Sequence, residues 1–196
     1  MFKGRRTLKN NAFKKTWLHR STLMCCAAAL TLLAVWCPAE DLHGSVSLGE
    51  LPQGWRDDRA RELALTGLRG HRVVLTMAYA ACHRICPATL DELKRMQRTA
   101  DARGEIVDFV IVGYDPRNDS PAVWHQYRLS RGLGRDNWHF LSGSPTATEQ
   151  LAHQLGFPFW IYDEHVMHES RAVLFDSRGV QRAVLGSRNP RWSDAL

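Results

Sequence analysis

The fold is decided by an apolar run and a cysteine pair in residues 72–87. This stretch reads Arg72-Val73-Val74-Leu75-Thr76-Met77-Ala78-Tyr79-Ala80-Ala81-Cys82-His83-Arg84-Ile85-Cys86-Pro87. The nearly continuous apolar run up to Tyr79 predicts a buried central strand. From Pro87 to Arg103, apolar residues recur at helical spacing, and Gly104 ends the pattern. The sequence therefore predicts a strand that leads into a helix, with two cysteines four residues apart at the junction.

The rest of the chain repeats this order of strand and helix. Further strands are predicted at 106–114 and 138–141, and further helices at 120–130, where Ser120 is the N-cap and Pro121 the first helical residue, and at 146–155. Residues 171–176 and 180–185 flank a Gly-containing turn and predict a hairpin. Strands that alternate with helices indicate an α/β fold with a mainly parallel sheet, flanking helices and a C-terminal β-hairpin. This arrangement is thioredoxin-like.

The charge of the chain is concentrated in its first 39 residues, which hold seven Lys or Arg and no Asp or Glu. The remainder has 19 basic and 20 acidic residues, so the folded body offers no general basic surface and nucleic acid is not an expected partner. An apolar run at 23–36 follows the basic stretch. It suits a signal peptide, an uncleaved membrane anchor or, less well, an ordinary buried helix.

Three segments are therefore expected: a basic leader with a signal peptide or membrane anchor at 1–39, a linker at 40–54, and a folded domain at 55–196. Cys25, Cys26 and Cys37 fall in or beside the leader. Only Cys82 and Cys86 remain in the body, which rules out a small domain held together by several disulfides.

The cysteine pair allows three chemistries. Thiolates at a helix N-terminus have lowered pKa values and become good nucleophiles and metal ligands. Two such sulfurs with a distant imidazole, for which His168 is the candidate, would suit a soft metal ion. The same thiols could cycle between dithiol and disulfide, or form an inert buried pair. His83, inside the motif, is either an extra donor or an exposed loop residue.

The chain resembles the Sco/SenC family of thioredoxin-like copper chaperones over residues 55–186. Five ordered segments carry the resemblance: Arg69-Gly70-His71-Arg72-Val73-Val74-Leu75, the Cys82-x3-Cys86-Pro87 motif, Tyr114-Asp115-Pro116-Arg117-Asn118-Asp119-Ser120-Pro121, Asn137-Trp138-His139-Phe140-Leu141-Ser142-Gly143, and Val166-Met167-His168-Glu169-Ser170. Each is similar to a family segment in the same order along the chain.

The resemblance implies that Cys82, Cys86 and His168 bind copper, as Cu(I) or Cu(II). It makes Asp115 a candidate acidic group near the site, although an Asp-Pro pair is also typical of a turn. It implies delivery of copper to the binuclear copper centre of cytochrome c oxidase, reduction of that centre's cysteines, or both. The expected partners are the copper-centre subunit of the oxidase and other copper or thiol-redox proteins. The expected location is the bacterial periplasm, with membrane association through the N-terminus.

The sequence departs from the family pattern at three places. His83 replaces a common Pro, Met167 replaces the usual Asp before His168, and only 192–196 stand where a closing helix is expected. The short C-terminal segment predicts that one sheet face is less covered. Two alternative functions use Cys82 and Cys86 without metal: an exported thiol–disulfide oxidoreductase and a redox-sensing interaction module.

Overall fold

The computed structural model describes residues 45–82, 85–163, 165–186 and 191–196, with backbone alone at Ile85. These residues belong to one compact unit, Asp41–Leu196. The predicted leader, residues 40–44 of the predicted linker and His83 lie outside the described residues. Within the described ranges, no helix combines the length and apolar character needed to cross a bilayer.

The elements follow the predicted order. The strands are β1 (Trp55–Asp57), β2 (Glu62–Leu63), β3 (Arg72–Ala78), β4 (Val107–Gly113), β5 (Trp138–Ser142), β6 (Phe159–Tyr162), β7 (His165–His168), β8 (Arg171–Phe175) and β9 (Gln181–Gly186). The α-helices are α1 (Ile85–Arg103), α2 (Pro121–Ser130) and α3 (Pro145–Leu155), and short 3-10 helices span Leu65–Leu68 and Trp192–Ala195. The bounds of the elements predicted from the sequence hold to within two residues.

A seven-stranded sheet has the order β2-β1-β5-β4-β3-β8-β9. Its centre is parallel, because β4 pairs in parallel with both β3 and β5. The flanking strands are antiparallel, including the predicted β8–β9 hairpin. Three parallel strands joined by helices, with antiparallel strands at both edges of the sheet, confirm the predicted thioredoxin-like α/β fold.

The sheet separates two apolar cores. The first core contains Leu93 and Met96 of α1 together with Trp124 of α2, and the second core contains Leu151 of α3. Every residue of β4 is buried, as expected for a central strand covered on both faces. Because β3 and β4 are parallel and in register from Arg72↔Val107 to Ala78↔Gly113, their carboxyl ends meet at one edge of the sheet.

Three features differ from the sequence prediction. β1 and β2 form an unpredicted hairpin beside β5, and β6 and β7 form a separate two-stranded sheet. Residues 45–54, predicted as part of a linker, pack on the domain: Leu48 and Leu51 are buried, and Ser47 bridges Val180. The segment packs on the domain because the burial of Leu48 and Leu51 in the second core removes apolar surface from water, which is favourable.

The 3-10 helix Trp192–Ala195 packs on the first core. Trp192 is buried in the first core and its indole Nε1 donates a hydrogen bond to the carbonyl of Gly186. Arg103, the last residue of α1, donates to the carbonyl of Leu196 at 2.7 Å. The Trp192 side chain thus covers part of the first core.

Candidate metal centre

Three elements bring Cys82, Cys86 and His168 together. Cys82 follows the carboxyl end of β3, in a turn where its backbone N–H donates to the carbonyl of Tyr79 at 3.1 Å. Cys86 is the second residue of α1, and His168 is the last residue of β7. All three side chains are buried. The site therefore lies where β3 passes into α1, with β7 closing it.

The ligand atoms of these residues converge on one point. The two sulfurs and the His168 Nε2 all lie within 4.8 Å of one another. His168 Nε2 is 3.5 Å from Cys86 Sγ and 3.9 Å from Cys82 Sγ. The Cys86 backbone N–H donates to Cys82 Sγ at 3.3 Å, so the first turn of α1 stabilises negative charge on that sulfur. Among the described residues this is the one such group of three His, Cys, Asp or Glu side chains.

The imidazole of His168 is held in one orientation. Its Nδ1 lies 3.1 Å from the Glu169 carbonyl oxygen, which can only accept, so Nδ1 carries the proton. Nε2 is then the nitrogen with a free lone pair, and it is the nitrogen that faces the sulfurs. Hydrogen bonds of this kind fix the tautomer of metal-binding histidines. The ring also packs against the rings of Tyr114 and Tyr79, with centroid separations of 4.9 and 5.8 Å.

Two hydrogen bonds made by hydroxyl groups connect the segment after His168 to the rest of the site. Thr89 Oγ1 on α1 and Ser170 Oγ lie 2.8 Å apart. Thr76 on β3 donates to the carbonyl of Arg171 at 2.5 Å. These bonds connect β3 and α1, which place the cysteines, to the segment directly after His168. The imidazole therefore keeps its position relative to the sulfurs.

The surroundings keep the Cys86 thiol protonated when no metal is bound. A hydrogen bond with Cys82 and burial together raise the pKa of the Cys86 thiol far above its usual value. Burial and the neighbouring Cys82 and Cys86 raise the pKa of Tyr79 to about 12. Because metals bind thiolates, an incoming ion must displace the Cys86 proton.

Other residues singled out from the sequence occupy different places. Asp115 is partly exposed beside a cleft of about 640 Å³, and its Oδ2 accepts from Asn118 Nδ2 at 2.7 Å. Its role near the metal stays a prediction. Met167 is 39% exposed and alternates with His168 along β7, so it points away from the site and pairs across the hairpin with exposed Trp160. Its side chain therefore lies on the face of β7 opposite His168 and the Cys-Cys-His group.

Asp119 belongs beside the site but was missed from the sequence. Its side chain is 1% exposed and accepts backbone hydrogen bonds from Ala80, two residues before Cys82, and from Asp115. The available signal was its place in the same polar segment as Asp115. Nothing in that segment showed which carboxylate turns inward.

A thioredoxin-like fold with a buried dithiol–imidazole group defines a class of proteins that bind soft metals or exchange thiols and disulfides. The SCO1/SenC family model matches residues 56–191, and the chain belongs to that family. The match covers the sheet, the three helices and all three convergent side chains.

Individual relatives are distant in sequence but similar in fold. The SCO1 protein homolog of Bacillus subtilis (strain 168) is 23% identical over 127 residues, which are 64% of this chain and 66% of the relative, so the chain spans just under two thirds of that relative's length. Arabidopsis thaliana ScoI with copper bound is 20% identical, with a TM-score of 0.64 over 70% of this chain and 87% of ScoI. BsSco is 21% identical, with a TM-score of 0.66 over 77% of this chain and 89% of BsSco. It is described as having a disulfide switch and as a member of the Sco family of cytochrome c oxidase assembly proteins.

Proposed function

We propose that the protein binds one copper ion through Cys82, Cys86 and His168 and supplies it to the binuclear copper centre of cytochrome c oxidase during assembly. The observation that carries the proposal is the convergence of two buried sulfurs and one imidazole nitrogen within 4.8 Å. Membership of the SCO1/SenC family and the copper-bound structure of a relative support the choice of metal.

The donor set fits copper better than its main competitors. Soft thiolates favour Cu(I), and two sulfurs with one nitrogen suit trigonal Cu(I). Structural zinc normally takes four protein ligands, whereas only three side chains converge here among the described residues. Cu(II) would require a fourth, harder ligand, such as water or a neighbouring carboxylate.

Transfer of copper follows from ligand exchange. A cysteine of the recipient would replace one of the three ligands at a time, so that copper never becomes free. His168 is the ligand that leaves most readily, since a neutral imidazole carries no charge to hold Cu(I). We place this exchange in the bacterial periplasm, with the N-terminal leader as the membrane anchor or export signal.

A second candidate function is reduction of the recipient's disulfide. It is favoured by the two thiols, Cys82 and Cys86, that lie close together at a helix N-terminus and by the disulfide switch of BsSco. One cysteine would attack the partner disulfide to give a mixed disulfide, and the other would resolve it. The partner gains two electrons and two protons, and Cys82 and Cys86 become a disulfide.

The test is copper binding by the reduced chain in which Cys25, Cys26 and Cys37 are replaced by Ser, so that two thiols remain. Copper stoichiometry and Cu(I) affinity, measured against a chromophoric chelator, are compared with those of Cys82→Ser and His168→Ala. His165→Ala is the matched control, because His165 is exposed on the same strand.

We expect one copper per chain, lost in Cys82→Ser, weakened by more than about 100-fold in His168→Ala and retained in His165→Ala. Retention of tight copper by His168→Ala would contradict the ligand set. Absence of tight copper in the parent, with rapid reduction of a disulfide substrate, would favour the oxidoreductase.

A further inference from the structure

Asp119 is a buried carboxylate that joins two segments of the chain near the metal centre. It lies in the loop between β4 and α2, and its side chain is 1% exposed. Oδ1 accepts from the Ala80 backbone N–H at 2.8 Å, and Oδ2 accepts from the Asp115 backbone N–H at 3.0 Å. One carboxylate thus bonds to the chain after β3 and to the chain after β4.

The bond to Ala80 lies where the parallel ladder of β3 and β4 ends. The last backbone bond between these segments runs from the Tyr114 N–H to the Ala78 carbonyl, at 2.8 Å. The next donor along β3 that needs a partner is the Ala80 N–H, and Asp119 supplies the acceptor. The turn that carries Cys82 begins at Tyr79, so this bond fixes the chain inside that turn.

The surrounding backbone holds the carboxylate in place. The Asp119 carbonyl accepts from Ser142 Oγ at 2.6 Å, and its N–H donates to the Asp115 carbonyl at 2.7 Å. A Cβ at Gly113 would lie 2.9 Å from both Asp119 Cβ and Oδ2, so this close approach requires glycine. Because these contacts fix the Asp119 side chain, its hydrogen bond in turn fixes the position of the Ala80 backbone.

We infer that Asp119 is a positioning residue of the metal centre: through Ala80 it sets the direction of Cys82 Sγ relative to Cys86 and His168 without binding the metal. The role of Asp119 in copper binding rests on the proposed function. Its effect on the direction and accessibility of the Cys82 thiol is independent of that function, because it is a property of the metal-free chain.

The test compares Asp119→Ala, which removes both acceptors, with the milder Asp119→Asn, which keeps one oxygen. Asp57→Asn is the matched control, because Asp57 is also buried and its Oδ1 accepts two backbone N–H groups, from Arg59 and Arg61, in the β1–β2 turn. All are made in the chain that retains only Cys82 and Cys86. Two quantities are measured: Cu(I) affinity, and the ratio of Cys82 to Cys86 alkylation rates in the metal-free protein.

We expect Asp119→Ala to raise the ratio of Cys82 to Cys86 alkylation at least threefold and to weaken Cu(I) binding about tenfold. Asp119→Asn should give smaller changes in the same direction, and Asp57→Asn should leave both quantities within twofold. Global unfolding exposes both thiols, so a change in their ratio reports local loosening around Cys82.

Two results would overturn the inference. The first is a ratio in both Asp119 variants no different from that of Asp57→Asn, since Asp119 would then affect stability alone. The second is loss of the fold in both Asp119 variants while Asp57→Asn folds. If the parent chain binds no copper but the alkylation ratio changes as expected, the proposed function fails and the positioning role stands.

Discussion

One buried carboxylate, that of Asp108, lies near the start of β4, another, that of Asp119, lies in the loop after its end, and their hydrogen-bond partners differ. Asp108, near the start of the strand, faces two imidazoles: His71 Nδ1 lies 3.1 Å from Oδ2 and His139 Nε2 lies 3.0 Å from Oδ1. Asp119, in the loop beyond the carboxyl end, accepts hydrogen bonds from backbone N–H groups.

This difference in partners reverses the direction of the pKa shift. Burial raises the pKa of Asp108, but the hydrogen bonds from His139 and His71 outweigh it, and the pKa lies below its usual value. At Asp119 burial dominates, and the pKa is raised from 3.8 to about 7. The carboxylate at the start of β4 is therefore stabilised as an anion, whereas the one beside the metal centre carries an electrostatic cost. We interpret the first as a stabilising element and the second as a cost tolerated for the geometry of the site.

The largest effect is expected at Cys86, where a substitution should weaken copper binding strongly and change the stability of the fold little. Cys86→Ser removes a soft ligand and should weaken Cu(I) binding by more than about 100-fold, because a hydroxyl is a poor ligand for this ion. The free energy of unfolding of the metal-free protein should fall by only about 1 kcal/mol. Chelator competition and urea unfolding of the same samples measure the two quantities. A large loss of stability with intact copper binding would contradict this expectation and show that Cys86 serves the fold rather than the metal centre.

The converse variant at the start of β4 is Asp108→Asn. It preserves the shape of the side chain but removes the charge that the two imidazoles face, and we expect a stability loss of about 1–3 kcal/mol. Cu(I) affinity should stay within twofold. Urea unfolding checks the first expectation. A tenfold loss of copper affinity would show that the two ends of β4 are not independent.

The raised pKa of Asp119 predicts a particular dependence of stability on pH. Between about pH 4 and pH 7 the folded state holds the Asp119 proton more strongly than the unfolded state, so the free energy of unfolding falls as pH rises through this range and levels off above it. Relative to Asp119→Asn, which does not titrate, metal-free wild type should lose on the order of 2–4 kcal/mol across it.

The control for this pH series is Asp57→Asn. Hydrogen bonds from Arg61 and Arg59 outweigh burial and lower the pKa of Asp57, so its contribution is lost only toward lower pH. The difference between wild type and Asp57→Asn should accordingly stay flat from pH 5 to pH 7.5. A flat difference for Asp119→Asn as well would show that Asp119 is ionised throughout.

The smallest effect is expected at Met167, next to His168 in sequence but on the other face of β7. Met167→Leu keeps the size and apolar character and should change Cu(I) affinity by less than threefold. A loss of tenfold or more, measured by chelator competition, would place the thioether at the metal and widen the site beyond the three buried ligands.

Local sequence patterns predicted the part of the site that lies at the strand–helix junction. The buried run of β3 and the helical spacing of α1 are short-range signals, and they placed Cys82 and Cys86 together. His168 lies 82 residues beyond Cys86, so its convergence with the sulfurs depends on tertiary structure. Residue types made His168 a candidate ligand, and the family resemblance implied that it binds the metal.

The features that were missed have no local signature. β6 has exposed apolar residues at consecutive positions, Trp160 and Ile161, and so lacks the alternation typical of a strand with one buried face. β7 does alternate, but over four residues, which is a weak signal. Asp119 became recognisable only when the Ala80 N–H was seen to need an acceptor beyond the end of the ladder. An unsatisfied backbone donor is a property of the folded chain that residue types do not encode.

The most direct test of the central claim is X-ray absorption spectroscopy of the Cu(I)-loaded chain that retains only Cys82 and Cys86, compared with its His168→Ala variant. We predict two sulfur ligands and one imidazole nitrogen in the parent, and loss of the imidazole contribution in the variant. An unchanged imidazole contribution in His168→Ala, or a parent spectrum with fewer than two sulfur ligands, would contradict the assignment of the copper site to Cys82, Cys86 and His168.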